Sequence, residues 1–297
     1  MKVYKPIAIF LYNRKELTIA TLNAINNNYD SENFDLYLYI DGPNKDNDLI
    51  KINEVYNVVD NFNFNFKNVF IIKRKTNIGL KESIIKGVSD ILEKNEAVIV
   101  LEDDLITSKF FLNYMNDALD KFKNRNDIGS ISGYSYSSEV LKIPMTYDCE
   151  IYISRRPTSW GWATWKSVWD NVDWNIKEND ISNYELYLFS EIGKDLPELL
   201  NKQWNNHIDS WAIFWALHHW KYRLFCIYPV KSLVSNNGFG IAATHTFNGG
   251  KKYSSSIVDH LPNLDFNFKT NEKIINRFKL IYKSSKIKRV LSWLGLI

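Results

Sequence analysis

The chain has 297 residues and a net charge of +3, with 45% hydrophobic and 24% charged residues. That composition belongs to a folded chain and excludes disorder, and the charge is too mild to point to nucleic acid as a partner. The two cysteines, Cys149 and Cys226, exclude a disulfide framework and a cysteine zinc site and make a reducing compartment the default expectation. No run reaches the roughly 20 apolar residues that a membrane helix needs. Met1 to Pro6 lacks the apolar core of a signal peptide, so a cytoplasmic protein is expected.

The first half alternates strand-like and helix-like segments. Ile7 to Tyr12 is a continuous apolar run that suits a strand buried on both faces, and it ends at Asn13-Arg14. Residues 15–26 follow with helical spacing. Phe34 to Ile40 reads as a strand ending at Asp41-Gly42-Pro43, residues 46–59 as a helix, and Val69 to Ile72 as a strand. After Asn77-Ile78-Gly79, residues 80–93 put Leu80, Ile84, Ile85, Val88 and Leu92 on one helical face. Ala97 to Leu101 is a strand that runs into Glu102-Asp103-Asp104. A helix over 108–123 and a strand over 128–131 complete this half. Such β-α-β-α order predicts a parallel sheet covered by helices on both faces. Ligands of such sheets bind outside the carboxyl ends of the strands, where this chain carries Asn13, Arg14, Asp41 and the acidic triplet.

The second half is rich in aromatic residues and less periodic. Two short helices are predicted within 180–206, one helix over 207–220, a strand over 224–228, loop over 235–260 and helix again from 270. The expected organisation is a periodic α/β half (1–135), an aromatic-rich second half of the same domain (136–268) and a basic amphipathic C-terminal helix (269–297).

Three adjacent carboxylates at a strand end repel one another, and a hard divalent cation relieves that repulsion. Mg2+ or Mn2+ on one or two carboxylates, completed by water and phosphate, suits a nucleotide substrate. The plainer alternative is a solvated acidic turn ahead of a helix. Asp41 reads equally as a turn aspartate or as a partner for a base or ribose. Arg14 and Lys81 read as surface charges or as ligands of a nucleotide diphosphate.

These segments resemble the nucleotide-sugar half of a GT-A fold glycosyltransferase of the family 2 type. The likeness is carried by Ile9 to Arg14, Tyr39 to Gly42, Thr76 to Lys81 and Val100 to Leu105. Glu102-Asp103-Asp104 is similar to that family's DXD-type motif. With Leu105 and Phe110-Phe111 it resembles, more narrowly, the N-acetylglucosaminyltransferase I group. The resemblance implies a Rossmann-like, mostly parallel sheet and a metal on Asp104. It implies Asn13, Arg14, Asp41, Lys81, Glu102 and Asp103 around the nucleotide sugar.

Thr158 to Trp165 is similar to a Gly-Trp segment ahead of the acceptor helix in related transferases, which implies acceptor contacts by Trp160, Gly161, Trp162 and Trp211. Core packing is the alternative for these indoles. By the same resemblance Asp209 is the base that takes the acceptor proton, although related enzymes often carry an acidic pair there and this chain has Asp209 alone. Stabilisation of a helix N-terminus is its alternative role, and Glu185 or Glu191 are alternative bases. His245, in a glycine-rich loop, resembles a residue that reaches the metal or diphosphate.

From Arg277 to Ile297 the chain holds six basic residues, no acidic one, and an apolar ending. That pattern suits the surface of an anionic membrane, with a docked helix as the alternative. The function expected is an inverting, metal-dependent transfer from a UDP-linked or other nucleotide sugar to a glycan or lipid-linked acceptor in surface polysaccharide synthesis. Its rivals are a sugar nucleotidyltransferase, whose Gly-rich loop is missing after the first strand, and a non-catalytic glycan binder.

Overall fold

The structure, a computed structural model, describes residues 2–238, 255–265 and 270–282. Its centre is an eight-stranded sheet. The strands in chain order are β1 (Ile7–Leu11), β2 (Asp35–Ile40), β3 (Asn68–Lys73), β4 (Ala97–Glu102), β6 (Ile128–Ser132), β7 (Ile151–Ser154), β8 (Trp162–Trp165) and β9 (Phe225–Pro229), and the spatial order is β3-β2-β1-β4-β8-β6-β9-β7. β5 (Leu105–Thr107) and β10 (Val234–Asn236) pair separately as an antiparallel ribbon. β1 to β4 are mutually parallel and β6 is parallel to β9, whereas β8 runs antiparallel to both β4 and β6, and β7 antiparallel to β9. The sheet is therefore mixed and mostly parallel, and it is continuous through both halves of the chain.

The alternation of a strand assigns its side chains to two cores. In β1 and β4, Ile7, Ile9, Leu11, Ala97, Ile99 and Leu101 face one way. There they meet Leu22 and Ile25 of α1 (Lys15–Asn26), Val55 and Val59 of α2 (Asp46–Asn61), and Leu112, Met115 and Leu119 of α4 (Phe111–Phe122). Ala8, Phe10, Val98 and Val100 face the other way, against Ile84, Val88 and Ile91 of α3 (Leu80–Leu92). Residues buried on both faces explain why these strands read as unbroken apolar runs.

The second core continues into an indole cluster. Trp162 lies 4.8 Å from the ring of Trp211 and 5.6 Å from those of Trp169 and Trp215. Trp169 ends α6 (Lys166–Trp169), and Trp211 and Trp215 belong to α9 (Trp211–Lys221). The outer side of α9 packs on α7 (Asn183–Phe189) and α8 (Leu196–Trp204) through Phe189, Leu196, Leu200, Ile213 and Leu217. A short helix, α5 (Ser138–Leu141), and the C-terminal α10 (Glu272–Ile281) lie together beside the first core, where Ile274, Phe278 and Ile281 are buried.

The predicted elements of the first half stand within a few residues of their expected limits. The helix expected over 207–220 begins at Trp211, which leaves Asp209 outside it. β5, β7, β8 and β10 have no counterpart among the predicted elements. Each has only three or four residues, too few to show an alternating pattern.

Candidate functional site

The carboxyl ends of β1, β2 and β4 converge on one rim. β1 and β4 are neighbours in register, Phe10 beside Glu102. Arg14 lies three residues past the end of β1, at the head of α1, where its carbonyl accepts the N–H of Thr18 at 2.9 Å. From there its guanidinium reaches across to the acidic triplet. Arg14 Nε donates to Asp103 Oδ2 at 3.1 Å, a second short contact joins its terminal nitrogen to Asp103 Oδ1, and the third nitrogen lies 3.1 Å from Asp104 Oδ2. The Asp103 side chain is 4% exposed, so this pair is nearly closed to water.

Asp104 is covered from the other side of the molecule. The β5–β10 ribbon carries residues 236–238 over it: Asn237 N–H donates to the Asp104 carbonyl at 2.8 Å, and Asn236 Nδ2 stands 3.5 Å from Asp104 Oδ1. A side chain at Gly238 would collide with Asp104 Oδ2, so the chain passes this close only as glycine.

The electrostatics follow from three acids facing one guanidinium. Burial, reinforced by Asp104 and Asp103, pushes Glu102 up to about 8. Burial pushes Asp103 up to about 6 against the pull of Arg14. Asp104 is raised by burial too, again opposed by Arg14. Burial would lower Arg14, but Asp103, Asp104 and Glu102 outweigh it and hold the guanidinium above its ordinary value. The corner carries excess negative charge in poor solvent, which is the complement of a cation. Its donors are all oxygen, which fits Mg2+ or Mn2+. Among the described residues no group of three or more His, Cys, Asp and Glu side chains forms a cage. A cation resting on one carboxylate and completed by water and diphosphate oxygens needs none.

Beside this corner lies a second set of groups. Asp41 accepts the N–H groups of Gly42, Ile78 and Gly79 at 3.0–3.2 Å and is 5% exposed. Its carboxylate pins the turn before α3 onto the end of β2. Asn77 closes the same turn, its amide donating to the Gly42 carbonyl at 3.0 Å and accepting from Gly79 N–H at 3.1 Å. Asn13 and Tyr12 donate to the two oxygens of Asp48 at 3.1 and 3.0 Å, which ties the end of β1 to the head of α2. Asp41 and Asn13 thus shape the rim through the backbone and through Asp48. Lys81 lies in the first turn of α3, its ammonium 5.1 Å above the ring of Phe214 on α9.

Asp209 joins the two halves of the chain. It precedes α9, and its Oδ2 accepts the N–H of Lys81 at 3.3 Å. Gly79, the cap residue of α3, has φ +82° and leaves the space that this carboxylate fills. Asp209 therefore does meet a helix N-terminus, that of α3 and not of its own helix, where a negative charge is favourable. It is exposed, and among the described residues its second oxygen accepts no hydrogen bond. Glu185, an alternative base, is bound to Ser182 at the head of α7 by bonds of 2.7 and 2.8 Å.

The four expected acceptor contacts separate. Trp162 is 0% and Trp211 2% exposed, both inside the indole cluster, where neither face is open to a sugar. Gly161 packs against Val234 and Phe111. Of these three indoles, Trp160 lines a cavity, with Tyr134, Arg156 and Ser210 among the other lining residues. His245 lies outside the described residues. Asp48, Arg156, Asn236 and Asn237 were missed by the sequence reading. Asn236-Asn237-Gly238 carried a turn signal but nothing that tied it to Asp104.

No known family profile matches the chain, and no curated protein does. Among solved structures, the crystal structure of S. aureus TarS 1-349 superposes with a TM-score of 0.43 and 11% identity, covering 80% of this chain and 61% of that one. A second S. aureus TarS structure gives a TM-score of 0.37 and 13% identity, over 66% of this chain and 34% of that one. The chain spans less than two thirds of either.

Proposed function

We propose that the protein is an inverting glycosyltransferase of the GT-A type. It would move a sugar from a nucleotide-sugar donor, UDP-linked in this reading, to a glycan or lipid-linked acceptor, with Mn2+ or Mg2+ bound at Asp104. The observation that carries the reading is the acidic triplet at the carboxyl end of β4, held by Arg14 and roofed by residues 236–238 from the second half. The triplet ends a strand buried on both faces of a mostly parallel sheet, where such sheets place their ligands.

When bound, the cation supplies Lewis-acid neutralisation of charge developing on the departing diphosphate. The rest falls to the chain. Arg14 fixes the orientation of Asp103 and Asp104. The Asp41-pinned turn and the Asn13–Asp48 contact shape the rim where a nucleoside would lie. Residues 236–238 keep water from the inner side of Asp104. Asp209 takes the proton from the acceptor hydroxyl through its second oxygen, while Lys81 N–H holds the first. We further propose that residues 283–297, with four of the six basic residues of the tail, attach the protein to anionic membrane.

The test is donor turnover with a panel of nucleotide sugars in Mn2+. Asp104→Ala is expected to abolish turnover and metal-dependent nucleotide binding with the melting temperature preserved. Turnover at the wild-type rate would remove the reading. Asp209→Asn is expected to retain nucleotide binding and to lose transfer by about 10²–10⁴-fold, the usual contribution of a general base. Unchanged transfer would leave Asp209 as a cap of α3 only.

A further inference from the structure

α1 does more for the acidic triplet than carry Arg14. Arg14, Thr21 and Asn28 recur at seven-residue spacing, about two helical turns each, so they follow one side of the helix. Arg14 heads α1, and Asn28 lies two residues past its end. All three bind the short segment that begins at Asp103. Arg14 takes the carboxylates of Asp103 and Asp104. The Thr21 hydroxyl donates to the Asp103 carbonyl at 2.9 Å. The Asn28 amide donates to the Thr107 hydroxyl at 3.0 Å, and its oxygen accepts the N–H of Leu112 in the first turn of α4 at 2.9 Å. One side of α1 thus grips residues 103–107 at both ends.

The Thr21 bond falls on the peptide that joins Asp103 to Asp104. The next carbonyl, that of Asp104 itself, accepts Asn237 N–H from the second half of the chain at 2.8 Å. Both peptides flanking Asp104 are therefore held, one by α1 and one by residues 236–238. Together they fix the direction in which its side chain leaves the backbone. A cation resting on a single carboxylate has no second protein ligand to correct a misplaced one, so what orients that carboxylate matters as much as its charge. Thr21 is 0% exposed, and burial of its hydroxyl costs less because the bond is made. Thr18, one turn earlier on the same side, is also 0% exposed, but its hydroxyl has no partner among the described residues. The two threonines thus share a helix face and a degree of burial and differ in their hold on the triplet.

We propose that Thr21 is a positioning residue for the metal-binding carboxylate: its hydroxyl holds the Asp103–Asp104 peptide and so sets where Asp104 presents its oxygens. The inference rests on the reading of Asp104 as a cation ligand and deepens it by naming what holds that ligand in place.

The test uses the full chain and two readouts: Mn2+ affinity in the presence of UDP, from the EPR signal of the free ion, and amide hydrogen exchange at Asn237 without metal. Thr21→Val keeps the side-chain shape and loses the hydroxyl. It is expected to weaken Mn2+ by about tenfold, the lower end of what loss of an outer contact to a metal ligand costs. Asn237 is expected to exchange about fivefold faster, the scale of one hydrogen bond. Thr21→Ser is expected to restore both values. Thr18→Val makes the same chemical change on the same helix face and is expected to match the wild type in both. Thr21→Ala removes the same hydroxyl and is expected to match Thr21→Val, so the comparison stands if either variant folds poorly. Wild-type Mn2+ affinity or wild-type Asn237 exchange in Thr21→Val, no recovery in Thr21→Ser, or an equal loss in Thr18→Val would overturn the proposal. With Mn2+ still bound by the wild type, those outcomes count against Thr21 alone. Absence of Mn2+ binding to the wild type would remove the reading of Asp104 and the role of Thr21 with it.

Discussion

At the scale of single residues, Arg14 is the group on which the site depends. The sequence offers it as a possible ligand for a diphosphate, but its guanidinium is turned inward and shared between Asp103 and Asp104. Deleting one partner of a buried pair leaves the other charge without a counter-charge, a cost of about 3–5 kcal/mol. Arg14→Ala is therefore expected to lower unfolding free energy by about 3 kcal/mol, read by urea denaturation. Added Mn2+ is expected to return part of that loss, because a cation then meets carboxylates that have lost their own. A loss below about 1 kcal/mol, the scale of an exposed pair, would mean that Asp103 is better solvated than the structure places it.

At the scale of elements, α9 carries the strongest pH dependence. His219 is buried, with Nδ1 against the Trp215 carbonyl at 3.0 Å and Nε2 against Ser130 Oγ at 2.9 Å. Burial, with a smaller push from His218, lowers it to about 3, and burial with Lys221 lowers His218 to about 4. Above the ordinary value of 6.5 the folded and unfolded chains are both neutral there, and nothing changes. Below it the unfolded chain binds protons that the folded chain refuses, so stability falls with pH between about 6.5 and the folded values. Glu102 and Asp103, raised on folding, slope the opposite way over their own range, so the comparison must be with a variant. His219→Gln is expected to be less acid-sensitive than wild type by about 2 kcal/mol between pH 7 and pH 5. Parallel curves would place a charged or solvated His219 in the native state.

The same helix shows where the sequence was readable. Long runs such as Ile7 to Leu11 and Ala97 to Leu101 declare a doubly covered strand by themselves. The helices between them follow a plain 3.6 period, and with them the rim bearing Arg14, Asp41 and the triplet was legible. α9 is apolar on nearly all sides, so its start could not be read from periodicity, and the helix N-terminus that Asp209 meets is that of α3. Trp162 and Trp160 are two residues apart, a spacing that in a strand would put both on one face. Trp160 precedes β8, and Gly161 between them has φ +59°, so the chain turns there and only Trp162 enters the indole core. Asn236 reaches Asp104 through a three-residue ribbon, a contact between distant segments that no local pattern announces.

At the scale of the whole molecule, the C-terminal region is described as far as Tyr282. The tail beginning at Arg277 reads as a membrane anchor, with a docked helix as the alternative. Within the described residues it is docked: Phe278 and Ile281 are buried, and Tyr282 lies under Arg156 with its hydroxyl against that of Tyr136. Truncation after Asn276 removes all three and is expected to destabilise the protein by at least about 3 kcal/mol, the cost of losing one large core side chain. Truncation after Tyr282 is expected to reduce sedimentation with phosphatidylserine vesicles at low salt, since each basic residue near such a surface contributes about 1 kcal/mol. Equal sedimentation of full and shortened chains would dismiss the anchor. No helix among the described residues is long and apolar enough to cross a membrane.

The insertion of β8 between β4 and β6 has a bearing on how the chain is made. During synthesis from the N-terminus, β1 to β4 emerge and can assemble, but the outer edge of β4 then waits for a strand that is still in the ribosome. β6 emerges sooner and does not pair with it; it too waits for β8. Until Trp162–Trp165 arrives, a long apolar edge with unpaired backbone groups stays open, the kind of surface on which nascent chains associate. Residues 1–135 are therefore a region of the sheet that later strands complete. A gene cut at residue 135 would yield a product arrested at that open edge, whereas the acidic triplet reaches its final surroundings only once the second half has closed the sheet beside it.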